Sequence, residues 1–402
     1  MMKHILFVDD EQRILDGLKR TLRSMRDEWN MLFACGGEEA LRILEQSAID
    51  IVISDMRMPG MDGAQLLREV QRRYPHVIRV ILSGQSDKEM VLQSISATHL
   101  FLAKPCEAKV LQATIQRACV LPGALKNDSL RAVVGRMQTI PSMPRLYSEI
   151  KNLVESDNWS LRAVSDIVAQ DPGMTAKVLQ LVNSAYFGLA TNVSTVEEAV
   201  NFLGVDIVQS LMLTADVFTQ FPGEQVSAFH IDALWSKGMM TGMLARAIAK
   251  AERRPRIEVE QAFIGGLLHD IGILMLAAGC GESYRSLLET ARAQKMKLWE
   301  IEQSEFGVTH AEVGAYLLAL WGIGPSIVEA VSLHHCPGEF PTNDFSPVTA
   351  VHVAEVLHQE IAGPAMEYLS SSLDLPYLER LKLADRVPYW RNLAENTRQE
   401  SA

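Results

Sequence analysis

Asp9, Asp10, Asp55, Ser83 and Lys104 are side chains that could carry out phosphoryl chemistry if the fold gathered them into one pocket. Three neighbouring carboxylates repel one another. A hard divalent cation bound through oxygen relieves that repulsion, and Mg2+ with one or two carboxylates, water and phosphate fits this chemistry. A carboxylate can accept a phosphoryl group, a lysine ammonium can pair with its oxygens, and a serine hydroxyl can donate to one of them. Taken singly, each residue has a simpler reading. An aspartate after a strand is commonly a turn former or a helix cap, and Lys104-Pro105 alone is a strand terminator. The ordered set points to chemistry where its members do not.

The order follows from the elements around these residues. Short apolar runs at 5–8, 31–34, 51–53, 77–82 and 99–103 have strand length and are flanked by turn or charged residues. Amphipathic stretches such as 13–25 and 38–45, with apolar residues three and four apart, lie between them. Five strands alternating with helices predict a parallel, doubly wound (flavodoxin-like) α/β sheet with helices on both faces. The strands are nearly continuous in apolar residues, as parallel strands buried on both sides must be. In such a sheet the carboxyl ends of the strands form the ligand crevice. Asp9 and Asp10 follow the first strand, Asp55 ends the third, Ser83 the fourth and Lys104 the fifth, so all five converge.

Beyond Leu121-Pro122-Gly123 the alternation stops, and a helix over 126–137 leads into a second region broken at Pro141 and Pro144. Helical periods then recur at 160–170, 174–183, 195–203, 233–249, 258–268, 310–320 and 347–358. Ser160, Asp171 before Pro172, Thr195 and Thr309 are expected N-caps. The division is residues 1–121, an all-α domain over 122–345, and a helical C-terminal extension over 346–402. The apolar spacing of Val351, Val353, Val356 and Leu357 lets that extension pack on the domain or form a homodimer face, and both stay open. The polar tail from Glu395 is expected to fray.

With 402 residues, two or three domains are expected. Hydrophobic residues at 48% and charged residues at 22% exclude a disordered or collagen-like chain. The N-terminus runs directly into Asp9 and Asp10, unlike a secretory signal, and no uninterrupted apolar run reaches the ~18–20 residues of a membrane span. Five cysteines without a CxxC pair fit neither a disulfide framework nor a zinc knuckle, so a reducing cytoplasm is expected. The net charge of −11 falls entirely after residue 120, since 1–120 carries 16 basic and 16 acidic residues. An acidic C-terminal two-thirds repels a phosphate backbone, and Arg253-Arg254-Pro255-Arg256 reads as a solvated loop, so nucleic-acid binding is disfavoured.

Residues 3–119 resemble the receiver domain of bacterial response regulators. The matching stretches are Leu6-Phe7-Val8-Asp9-Asp10-Glu11, the run from Ser54-Asp55 through Met58-Pro59-Gly60 to Asp62-Gly63, Leu82-Ser83-Gly84 and Phe101-Leu102-Ala103-Lys104-Pro105. The resemblance implies that Asp55 is the phospho-acceptor. It also implies that Asp9, Asp10, Asp55 and the main-chain carbonyl of Arg57 hold Mg2+, that Ser83 and Lys104 bind the phosphoryl group, and that Phe101 is the switch aromatic. A sensor histidine kinase is the implied partner.

Residues about 130–340 resemble the HD-related output domain (HDOD), a helical relative of the HD phosphohydrolases and HD-GYP cyclic-di-GMP phosphodiesterases. The phrases that carry this are Ile140-Pro141-Ser142-Met143-Pro144, Gln170-Asp171-Pro172-Gly173-Met174-Thr175, Asn183-Ser184-Ala185-Tyr186-Phe187-Gly188, Asn201-Phe202-Leu203-Gly204, His269-Asp270 and His334-His335. HD hydrolases use a histidine, a His-Asp pair and a distant aspartate to hold a metal that activates water. Here His269-Asp270 is present, His310 and His334-His335 resemble the extra ligands of the HD-GYP enzymes, and Glu355 stands for the last aspartate. Lys237 stands where the first histidine belongs, and no Gly-Tyr-Pro follows the histidine pair. The simpler readings are a helix-internal pair at His269-Asp270, a helix-start polar residue at His310 and a helix-end cation at His334-His335. His230 is either a replacement ligand or a loop residue, and 239–243, rich in methionine, reads as core filling.

Two functions are therefore expected. In the first, Asp55 phosphorylation switches a non-catalytic output domain that contacts a protein partner. In the second, phosphorylation controls a metal-dependent phosphohydrolase with iron, manganese or zinc at the HD-like site. Lysine at position 237 disfavours the second. A transcription-factor reading lacks a basic recognition helix.

Overall fold

The computed structural model describes residues 2–84, 90, 94, 97–106, 108–112, 114–116, 149–150, 153, 159–183, 192–204, 207–208, 231–362 and 372–401. The stretches 121–123, 126–137, 140–144 and 184–188 and His230, which carried parts of the sequence reading, lie outside these residues.

The N-terminal region is the expected doubly wound sheet. Its strands are β1 (Lys3–Val8), β2 (Trp29–Ala34), β3 (Ile51–Asp55), β4 (Ile78–Ser83) and β5 (Leu100–Ala103). They run parallel in the order β2-β1-β3-β4-β5. The order reverses between β1 and β3, and the crevice at that switch point is where such sheets bind ligands. Helices α1 (Gln12–Thr21), α2 (Gly37–Gln46) and α3 (Gly63–Arg73) carry apolar stripes onto the sheet. Burial on both faces accounts for strands such as Ile-Arg-Val-Ile-Leu-Ser in β4, in which every residue is buried. A capping box starts α3: Asp62 Oδ1 accepts from the Gln65 amide at 2.7 Å, and Gln65 Oε1 accepts from the Asp62 amide at 3.3 Å.

The rest of the described chain is helical. Its elements are α4 (Leu161–Val168), α5 (Pro172–Val182), α6 (Val196–Leu203), α7 (Ile231–Ala251), α8 (Arg256–Leu268), α9 (Ile271–Cys280), α10 (Glu282–Gln294), α11 (Leu298–Phe306), α12 (His310–Leu320), α13 (Pro325–Leu333), α14 (Pro347–Ala362), α15 (Leu375–Arg380) and α16 (Val387–Ser401). The expected caps all act: Ser160, Asp171, Thr195 and Thr309 each accept a hydrogen bond from a first-turn amide. Helices α9, α10, α11 and α13 go beyond the periods read from sequence. α5 is buried along its whole length. Thr98 and His99 of the receiver region meet it, with Gln180 Nε2 donating to their carbonyls at 3.5 and 3.4 Å.

Three sequence expectations change. The C-terminal tail does not fray at Glu395, because α16 continues to Ser401. Trp390 anchors that helix, fully buried, with Nε1 donating to Glu252 at 2.9 Å beside Arg386. The stretch 256–280 does meet the length and composition of a membrane span. Yet 83% of its apolar window is buried among the protein's own helices, so core packing accounts for it. His269 and Asp270 are not inside a helix either. They form the junction between α8 and α9.

The arginine cluster at 253–256 is the turn between α7 and α8. Arg254 pairs with Glu258 at 2.9 Å and Arg256 with Glu197 at 3.0 Å, so two of its three arginines already have acidic partners. The extension α14–α16 packs with α7 and α8 in one apolar cluster that includes Leu244, Ile248, Val351, Leu357 and Trp390.

Candidate functional sites: an acidic crevice and a buried histidine cluster

The first site sits at the carboxyl edge of the sheet. Oxygens of Asp9, Asp10 and Asp55 lie within 4.8 Å of one another. Asp10 is exposed while Asp9 is buried, so the group opens to solvent on one side only. Lys104 Nζ lies 2.5 Å from Asp55 Oδ1 and 2.8 Å from Asp9 Oδ2. Asp9 Oδ1 also accepts from the Glu11 amide at 2.9 Å, which turns the chain out of β1. Burial pushes the Asp55 carboxyl above its ordinary range, and the bond and charge of Lys104 only partly offset this. Burial pulls Lys104 down, but Asp55 and Asp9 outweigh it and hold the ammonium above the usual lysine range. Gly63 is required here, because a Cβ on it would meet the Asp55 carbonyl oxygen at 2.1 Å. Sequence reading gave Gly63 no such role.

Ser83 is fully buried at the end of β4, and its carbonyl accepts from the Lys104 amide at 2.8 Å. That bond locks the ends of β4 and β5 together beside Asp55. Phe101 is 1% exposed, so the ring lies in the core rather than in solvent. Arg57 is exposed in the loop after β3. Three close carboxylates at the mouth of the crevice, all-oxygen and with Asp10 exposed, are the donor set of a hard divalent cation.

The second site is buried in the helical region. Lys237 comes from α7, His269 and Asp270 from the α8–α9 junction, His310 from the start of α12, His334 and His335 from the end of α13, and Glu355 from α14. All seven are buried, and His269, His310, His334 and Glu355 have no exposed surface. Lys237 Nζ donates to Asp270 Oδ2 at 2.7 Å and to Glu355 Oε1 at 3.3 Å. His310 Nε2 lies 3.4 Å from Asp270 Oδ1 and 3.0 Å from His335 Nε2. His334 Nε2 is 3.9 Å from Asp270 Oδ1, and His335 Nδ1 faces Glu355 Oε2 at 3.7 Å. Gly272 permits this closeness: a Cβ there would strike the His310 carbonyl oxygen at 1.9 Å.

Charge inside this cluster is tightly organised. Burial alone would raise Asp270, but His269 and Lys237 beside it hold its carboxyl well below the usual range. Burial opposes the Lys237 charge, yet the two carboxylates outweigh it and keep the ammonium above its ordinary range. Burial keeps Glu355 raised, against the pull of Lys237. Burial disfavours charge on His310 too, yet Glu302 and Asp270 bring it up to about 10. His334 and His335 are pushed well below the histidine range by burial and by their charged neighbours. The sequence expectation of a helix-end cation at this pair is therefore overturned. Desolvation at zero or near-zero exposure outweighs the few tenths to one kcal/mol that a helix C-terminus offers a cation at the surface.

Sequence reading missed Glu302. Its Oε2 accepts from both the amide and the Nδ1 of His310 at 2.7 Å, and its Oε1 accepts from the buried Tyr284 hydroxyl at 2.5 Å. Only its place eight residues before His310 hinted at it, a spacing with no helical meaning across the break at Gly307.

Known proteins agree with this two-part arrangement. The family model of the response regulator receiver domain matches residues 5–116, and that of the HDOD domain matches residues 140–337. An uncharacterized protein of Treponema pallidum (strain Nichols) is 26% identical over 51% of this chain and 39% of its own length. The hydrogenase transcriptional regulatory protein HoxA of Cupriavidus necator is 31% identical over 41% of this chain and 36% of its own. The chain thus spans less than two fifths of the length of these curated relatives. The crystal structure of the MmoQ response regulator from Methylococcus capsulatus covers 63% of this chain and 98% of its own. At a TM-score of 0.51 and 23% identity it shares the fold. The chain thus carries an N-terminal response regulator receiver domain followed by an HDOD domain.

Proposed function

We propose that, in this response regulator, phosphorylation of Asp55 switches a non-hydrolytic output domain that acts by contact with a protein partner. The observation that carries the second half is the Lys237 ammonium bonded to both Asp270 and Glu355. Those carboxylates are the acids an HD-type hydrolase would give to metal, and here one fixed ammonium occupies an oxygen of each. A sensor histidine kinase is the phosphodonor. One Asp55 carboxylate oxygen attacks the donor phosphorus, an O–P bond forms, the N–P bond of the phosphohistidine breaks, and the imidazole leaves and takes up a proton. Asp9, Asp10, Asp55 and the Arg57 carbonyl would hold Mg2+, which supplies charge neutralisation for the incoming phosphoryl oxygens. Lys104 is already within reach of Asp55 and Asp9 and exchanges a carboxylate contact for a phosphoryl one.

Phosphorylation adds ~1.5–2 negative charges at the end of β3. Ser83 and Lys104 are joined through their backbones, so a shift of either is felt along β4 and β5. β5 starts directly after Thr98 and His99, whose carbonyls meet Gln180 of α5. That contact supports a path from the phosphorylation site to the output domain.

The experiment treats the full chain with Mg2+ and acetyl phosphate, then assays labelling and cyclic-di-GMP hydrolysis side by side. Labelling without hydrolysis in either state is expected. Hydrolysis that appears on phosphorylation would replace this reading with a phosphorylation-controlled phosphohydrolase using His269, Asp270, His310, His334, His335 and Glu355 and bound iron, manganese or zinc. The three-histidine corner of the cluster is the observation that favours that second reading.

A further inference from the structure

We propose that the receiver covers a docking surface for an acidic protein segment, formed on the output domain by Lys177 and Gln180 of α5 and backed by Trp321. The inference rests on the reading of an output domain that acts by protein contact, and it names the chemistry of the partner.

Lys177 and Gln180 stand three residues apart, on one face of α5. That face is turned to the receiver, because Gln180 Nε2 reaches the carbonyls of Thr98 and His99. Lys177 is 1% exposed, and among the described residues its ammonium has no carboxylate partner. It takes Gln180 Oε1 at 3.1 Å and the Trp321 ring, whose centre is 4.1 Å away. One amide oxygen and one ring do not fully repay the desolvation of a buried ammonium.

The receiver brings charge of the same sign. Arg79 of β4 and His99 are both buried. The Arg79 amide donates to His99 Nδ1 at 3.1 Å, and Arg79 Nη2 lies 2.8 Å from His99 Nε2. His99 therefore meets an Arg79 donor at each ring nitrogen, while a neutral imidazole has only one acceptor nitrogen. Burial holds His99 well below the histidine range, and the charges of Arg79 and Lys177 push it the same way. Thr98 Oγ1 is buried without a hydrogen-bond partner. Basic groups and poorly matched donors thus meet where the receiver touches α5, the reverse of the complementary potentials of a well-matched interface.

The complement of this face is a carboxylate. Set where the Thr98 and His99 carbonyls now lie, it would pair with Lys177 and accept from Gln180 Nε2. The two receiver carbonyls are its neutral stand-in. α5 is otherwise mostly apolar, so the segment would carry apolar side chains beside its acid. Such a segment binds only when the receiver has moved off, so uncovering and partner binding favour one another.

The test gives the full chain, with and without Mg2+ and phosphoramidate, a brief pulse of acetic anhydride. Mass spectrometry then reads Asp55 labelling and lysine acetylation, with exposed Lys250 as the internal reference. Lys177 should be protected in the unmodified chain and acetylated once Asp55 is phosphorylated. A fluorescein-labelled octapeptide alternating leucine and glutamate is titrated by anisotropy beside its leucine–glutamine counterpart. The glutamate peptide should bind the phosphorylated chain about tenfold more tightly than the glutamine peptide does, the order of one interfacial ion pair. It should show the same preference for the phosphorylated over the unmodified chain. Lys177→Met should remove the preference for glutamate while leaving Asp55 labelling intact. Lys177→Glu sets an opposite charge against Arg79 and His99, so amide exchange in α5 should stay slow even after phosphorylation. A Lys177 that stays protected in the labelled chain, equal binding of the two peptides, or a Lys177→Glu chain that opens as readily as the wild type overturns the proposal. Hydrolysis of cyclic-di-GMP by the labelled chain would overturn the non-hydrolytic reading without moving any of these readouts, so the two failures are told apart.

Discussion

The two sites of this protein share a device, a lysine lodged between two carboxylates, and use it in opposite ways. In the receiver, Lys104 spans Asp9 and Asp55 with 27% of its side chain exposed, beside the open Asp10. In the output domain, Lys237 spans Asp270 and Glu355 with 2% exposed. Water reaches the first triad, so its ion pairs are screened and a phosphoryl group or cation can compete for each partner. The second is sealed. There the desolvation of three charges is repaid only while all three stay together, and removing one leaves the others buried and unpaired. Similar side chains thus give an exchangeable site at a sheet edge and a locked one between helices.

The sharpest way to break this comparison is at Asp55. Asp55→Asn should remove labelling by acetyl phosphate entirely, and chelating Mg2+ should do the same to the wild type. Label that persists in either case would show that another residue accepts the phosphoryl group or that the acidic crevice does not need a cation.

The lysines themselves come next. Lys237→Met should cost about 3–5 kcal/mol in denaturant unfolding, the usual penalty for leaving a buried ion pair half complete. Lys104→Met should cost no more than about 1 kcal/mol, as befits a partly exposed contact, while uncoupling labelling from any change in the output domain. Equal losses of stability for the two variants would refute the contrast between locked and exchangeable sites.

A third test concerns the contact between the regions. Lys177 of α5 is buried, lies 3.1 Å from Gln180 Oε1 and sits 4.1 Å from the centre of the Trp321 ring. Desolvation lowers it to about 7. An unfolded lysine titrates near 10.4, so between about pH 7 and 10 the unfolded chain binds more protons and stability rises with pH. Below about pH 7 both states are charged and the full burial cost remains. Lys177→Met should therefore stabilise the protein by about 1 kcal/mol or more at pH 6 and flatten the rise towards pH 10. A variant that unfolds with the same pH profile as the wild type would show that this lysine is solvated.

The smallest effect is expected at Gln180. Gln180→Ala should cost about 0.5–1 kcal/mol, because its bonds to Thr98 and His99 are long. Its interest lies in signalling: amide exchange in the output domain should respond less to Asp55 phosphorylation. An undiminished response would place the coupling elsewhere on the receiver.

Sequence by itself determined the receiver almost completely. The five strands follow from runs of apolar residues buried on both faces, and a parallel sheet brings strand ends to one edge, so Asp9, Asp55, Ser83 and Lys104 could be placed in one crevice from local pattern. Caps such as Asp171 and Thr309 were equally legible, because a cap is chosen by its own first turn. The helical domain was different. Period alone marked many of its helices and even the residues of the HD-like set, but not which faced which. Only the tertiary structure decided that Lys237 meets Asp270 and Glu355 across 33 and 118 residues of chain. It also brought Glu302 behind His310 and turned a helix-end histidine pair into neutral, inward-facing groups. Helix crossings are set by the close approach of side chains distant in sequence, such as Gly272 against the His310 carbonyl, and desolvation is a property of the whole packed core. Neither is written in the local pattern that fixes a strand, a cap or a turn.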